Sequence, residues 1–98
     1  MIIIAGTVTV NPDKREEAIA AAEVMMAASQ AEPGCHHYAF YAHLSRRDTF
    51  LIYELWQDDA ALENHFQTPH MATFNAQMPG FVTGTNLKRY DVTAVTDL

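Results

Sequence analysis

The chain has 98 residues, 49% of them hydrophobic, and a formal net charge of −6. That length holds one domain, residues 1–98, burying roughly two-thirds of its unfolded surface. An acidic chain without a basic stripe argues against nucleic acid and anionic membranes as partners, and no run approaches the ~18 apolar residues of a bilayer span.

Residues 2–10 read as a strand in which both alternating sets, Ile2, Ile4, Val8, Val10 and Ile3, Ala5, Thr7, Thr9, are apolar or β-branched. Both faces of this strand are therefore expected to be covered. The segment lacks the basic lead and cleavage site of a signal peptide. With a single cysteine, Cys35, no intrachain disulfide can form, and a reduced, cytoplasmic setting is expected.

"NPD" opens a helix. Asn11 is its N-cap and Pro12 its first position, and it runs to about Ala31. Its inner face is Ala18, Ile19, Ala22, Met25, Met26 and Ser29. "EPG" at 32–34 turns the chain into a strand over 35–42, "CHHYAFYA". A polar hairpin loop leads to a third strand, 49–56. "QDD" caps a helix over 59–66. "TP" at 68–69 starts another that runs to about Met78. "PGFVTGTN" reads as loop, followed by a last strand over 87–95.

The order β-α-β-β-α-β, with its second helical region broken, predicts an α+β, ferredoxin-like split β-α-β sheet with helices on one face. The other face would be bare in a monomer. A second copy of the sheet is its simplest cover, so a homodimer is expected.

"ELWQDDAALENHFQTPH", residues 54–70, concentrates the candidate chemistry. In the third strand Phe50, Ile52, Glu54 and Trp56 share one face, which makes Glu54 a carboxylate in an apolar row. Such a group needs a partner or a raised pKa. It is either a structural acceptor or the orienting carboxylate of a catalytic histidine.

His65 ends one helix, where the dipole favours imidazolium. His70 begins the next, where it favours the neutral ring. The two could serve as an acid/base pair, or as a core histidine and an exposed cap. Glu54 is expected to contact one of them directly or through one water. Trp56, Tyr38 and Phe74, with Phe40 and Phe66, could wall a pocket for a flat aromatic ligand or simply be core. Whether Tyr38 or His37 stands beside Glu54 depends on the hairpin register.

No metal is expected. His-x4-His across a helix break does not match the zinc pattern, and His36 and His37 point to opposite faces. No nucleotide-binding or nucleophile-elbow motif is present.

"EPGCHHYAFY" and "FLIYELWQDDAALENHFQTPHMATF" resemble the antibiotic-biosynthesis monooxygenase family, in particular its small quinol monooxygenase-like members. The resemblance spans nearly the whole chain. It implies a dimeric α/β barrel and oxidation of a phenolic or hydroquinone-type small molecule by O2, with no cofactor. It assigns His65 or His70 as base, Glu54 as orienting carboxylate and Trp56 as pocket wall. Polyketide-oxidising members carry an asparagine where this chain has Ile52. The haem-degrading pattern is absent. Autoinducer-processing members isomerise a small phosphorylated molecule, so an isomerase is the alternative activity. A non-catalytic small-ligand-binding protein is the third reading.

Overall fold

A computed structural model describes residues 1–98. Its elements are β1 (Ile2–Val10), a 3-10 turn (Pro12–Lys14), α1 (Arg15–Gln30), β2 (Cys35–Ala42), β3 (Thr49–Trp56), α2 (Asp59–Phe66), α3 (Pro69–Gln77), a second 3-10 turn (Met78–Gly80) and β4 (Val82–Asp91). The strands form one antiparallel sheet in the order β2-β3-β1-β4. This is the expected α+β ferredoxin-like arrangement.

Local chemistry sets the helix starts. Asn11 accepts from the Asp13 amide, Asp58 from Ala61 and Thr68 from Met71. Each satisfies a first-turn amide that has no intrahelical partner. The first turn after Asn11, which opens on Pro12, is a 3-10 turn rather than α-helix.

The core lies between the sheet and the helices. Ile2, Val10, Ile52 and Trp56 pack there with Ala18 and Met25 of α1, Leu62 of α2 and Phe74 of α3. Trp56 is fully buried. Truncating such a residue costs about 3–5 kcal/mol. Across the sheet, Leu51, Tyr41 and Tyr90 are exposed, the face that sequence alternation left without a cover.

The last strand departs from the expected 87–95. It starts at Val82 and ends at Asp91. Gly84 and Asn86 resemble loop residues, but β1 lies inside the sheet and its amides and carbonyls need partners along their whole length. Pairs from Ile2–Asp91 to Val10–Val82 supply them.

The β2–β3 register settles which residue stands beside Glu54. Cys35 pairs with Trp56 and His37 with Leu55, so His36 is an extra residue. This bulge shifts the alternation by one. Tyr38 therefore pairs with Glu54 on the core face. His37 turns to the bare face, within hydrogen-bond distance of the Tyr41 hydroxyl at 2.8 Å.

Candidate active site

The turn after α1 is built around Gly34. Its φ of +77° lies in the left-handed region, and a Cβ there would meet the Ala61 Cβ at 2.6 Å. The turn thus lies directly against α2. Ala61 and His65, four residues apart, share a helix face, so this close approach brings Glu32 to His65.

The break between the helices delivers the second ring. Thr68 donates its hydroxyl to the His65 carbonyl at 2.7 Å and caps α3. His70 follows in the first turn of α3, its ring centroid 6.0 Å from that of His65.

Both imidazoles reach one atom. His65 Nδ1 and His70 Nε2 each lie 2.7 Å from Glu32 Oε2. The Glu32 side chain is 6% exposed, His65 2% and His70 21%, so solvent or a ligand reaches the cluster through His70. Glu32 Oε1 is buried without a partner.

Glu54 is elsewhere in the polar core. It accepts from the Trp56 indole N–H at 2.9 Å, and neither histidine hydrogen-bonds it. Neither ring makes a direct hydrogen bond to Glu54; Glu32 is the carboxylate that both rings use. Burial pushes the Glu54 carboxyl up to about 7. The Trp56 N–H opposes this and the Glu32 charge adds to it. Burial, reinforced by Glu54, pushes the Tyr38 phenol above its usual range. The Cys35 thiol is pushed up to about 11, chiefly by burial and then by Glu32 and Glu54, so it stays protonated at neutral pH.

Tyr38 and Trp56 pack on His65, with ring centroids 5.4 Å and 4.6 Å away. These two and Ile52 are buried, and none lines the apolar cavity. That cavity, about 250 Å³, lies under the first part of α1. Phe40, Phe50, Phe74 and Phe81 contribute its aromatic wall, and twelve of its fourteen lining residues are hydrophobic. Phe74 and Phe81 also line an open groove between α1 and α3, whose rim includes His70. Phe66 is exposed.

Glu32 is the residue that sequence reasoning missed. The signal was a carboxylate just past the C-terminal end of α1, where the helix dipole disfavours a negative charge and a donor is needed. It also revises the argument from spacing against a metal. Glu32, His65 and His70 bring ligand atoms within 4.8 Å of one another, a two-histidine, one-carboxylate set able to hold a divalent ion. The nitrogen–oxygen separations of 2.7 Å are those of charge-assisted hydrogen bonds.

Residues 1–77 match the family model described as antibiotic biosynthesis monooxygenase. An uncharacterized protein, sll1783, of Synechocystis is 42% identical over 78 residues, covering 80% of this chain but 53% of its own length; the match spans about half of that relative. "Probable quinol monooxygenase YgiN" of Escherichia coli is 32% identical over 65 residues, covering 58% of this chain and 62% of that one. A crystal structure of a conserved Bacteroides thetaiotaomicron protein superposes with a TM-score of 0.84 at 34% identity, covering 91% of this chain and 94% of that one. By the match of its residues 1–77 to that family model, the chain belongs to the antibiotic biosynthesis monooxygenase family.

Proposed function

We propose that this chain is a cofactor-independent, quinol-type monooxygenase or oxidase acting as a homodimer on a small phenolic or hydroquinone-type aromatic with O2. The observation that carries the reading is the position of His70. Its ring is held by buried Glu32 and partly exposed, one helical turn before Phe74, which walls both the cavity and the groove. The aromatic body of the substrate would occupy the cavity, and a phenolic hydroxyl would approach His70 past Phe74.

His70 then acts as general base. With Nε2–H donated to Glu32, its Nδ1 is free to take the phenolic proton. The phenolate passes one electron to O2. Recombination of the radical pair followed by loss of water puts one oxygen atom on the ring; passage of a second electron instead gives the quinone and hydrogen peroxide. In both outcomes the hydroquinone is the only reductant. His65 and Glu32 position the base. Tyr38 and Trp56 pack against His65, with Glu54 hydrogen-bonded to Trp56 and Ile52 on the same buried face of β3. Glu54 acts through this packing rather than on substrate.

The name of the Escherichia coli relative supports the quinol class. The apolar lining favours an aromatic over a sugar. The isomerase alternative would need a basic residue for the phosphate; of Arg46, Arg47, Lys88 and Arg89, the last is already paired to Asp59 at 2.6 Å and Asp91 at 2.9 Å.

The test is oxygen uptake with a panel of benzo- and naphthohydroquinones, with and without EDTA. Uptake above autoxidation, indifferent to the chelator and lost in His70→Ala, is expected. No enzyme-dependent uptake across the panel would leave a ligand-binding protein as the better reading. Loss of uptake on chelation, restored by a stoichiometric divalent ion, would move the chemistry to a metal on Glu32, His65 and His70.

A further inference from the structure

We infer that the ligand of the apolar cavity carries a carboxylate, and that Arg15 is the specificity residue that binds it. The inference rests on the cavity being the substrate site, and it narrows the substrate to aromatic acids.

Arg15 and Glu23 are the only charged side chains in the cavity wall. Arg15 is partly buried and fixed from two sides. Its Nε donates to the Arg47 carbonyl at 2.8 Å, and its guanidinium carbon lies 5.4 Å from the centre of the Phe50 ring. Neither contact uses the terminal nitrogens, which have no protein partner. An anchored fork whose end-on Nη1/Nη2 edge is free, set in an apolar wall, is the geometry that takes a carboxylate in a bidentate pair.

The charge distribution points the same way. The chain has twelve acidic and six basic residues. Arg15, Arg46 and Arg47, half of its cations, converge where the β2–β3 hairpin meets the start of α1, and none has an acidic group within 4.0 Å. Asp48, beside them in sequence, instead accepts from the Thr49 hydroxyl at 2.9 Å. Unpaired by any carboxylate, the Arg15 guanidinium keeps its charge available to an incoming anion. Glu23 is exposed and lies two turns along α1 from Arg15, roughly 12 Å by helix rise, so it does not neutralise the fork.

The experiment is equilibrium binding of a matched pair, 2-naphthoate and its neutral isostere 2-acetylnaphthalene, to the full chain by calorimetry. Naphthoate should bind about tenfold more tightly, the scale of a charge-assisted pair at a partly exposed site, and the preference should shrink with added salt. Arg15→Gln should abolish the preference while leaving 2-acetylnaphthalene binding unchanged, and Arg15→Lys should keep part of it. Equal binding of the pair by the unmodified chain, a preference that survives in Arg15→Gln, or failure of both molecules to bind would each overturn the inference. An intact, Arg15-dependent preference in a protein that consumes no oxygen would uphold it while defeating the oxidase reading.

Discussion

Glu32 and His70 stand 38 residues apart in the chain and 2.7 Å apart in the fold. The same carboxylate oxygen holds His65 at an equal distance. One buried anion thus fixes two rings, of which only His70 offers an approach from outside.

That asymmetry separates two variants. His70→Ala should remain folded and lose about 10²–10⁴ in oxygen-uptake rate, the typical worth of a positioned base. His65→Ala should act mainly on stability. It removes a buried ring that packs on Trp56 and Tyr38 and donates to Glu32, a loss of about 2–4 kcal/mol in urea unfolding. Comparable rate losses in both, with unchanged stability, would contradict the assignment.

Glu54 gives a pH signature. Its carboxyl is raised from 4.5 to about 7 in the folded chain. Below about pH 4.5 it is protonated in both states and its contribution is at its most favourable. Between there and about pH 7 the unfolded chain ionises while the folded chain keeps its proton, so stability falls as pH rises. The total is about 3 kcal/mol. Glu54→Gln keeps an acceptor for Trp56 and cannot ionise. The variant should therefore gain about that much relative to the unmodified chain between pH 4.5 and pH 8. A stability difference that does not change with pH would show that Glu54 is not held protonated.

Gly34→Ala should cost about 2–4 kcal/mol, from a left-handed backbone and an overpacked contact with Ala61. Because this turn carries Glu32, the surviving folded protein should also show a disturbed His65 environment by NMR. A neutral effect on both would mean that the turn relaxes freely.

The exposed sheet face predicts assembly. Leu51, Tyr41 and Tyr90 lie on it, and sedimentation should give a particle of twice the 11.0 kDa chain mass. Leu51→Glu should shift it to monomer, since a charge buried in such an interface lacks a partner. A stable monomer at micromolar concentration in the unmodified chain would refute the homodimer.

The sequence alone determined the elements other than the bounds of β4, because their causes are short-range. Asn11, Asp58 and Thr68 cap amides two or three residues away. The alternation of Ile52, Glu54 and Trp56 places all three on the buried side of β3, and the order of strands and helices leads to the sheet. Only the tertiary structure decided the cluster. A one-residue bulge at His36 chose Tyr38 over His37 for the core, and β1's need for hydrogen-bond partners drew the start of β4 back to Val82. Glu32 meets His65 across 33 residues and His70 across 38, through the contact of Gly34 with Ala61 and the break before α3. No periodicity or spacing encodes such a meeting, because it depends on how a turn packs against a helix that follows it by a whole hairpin.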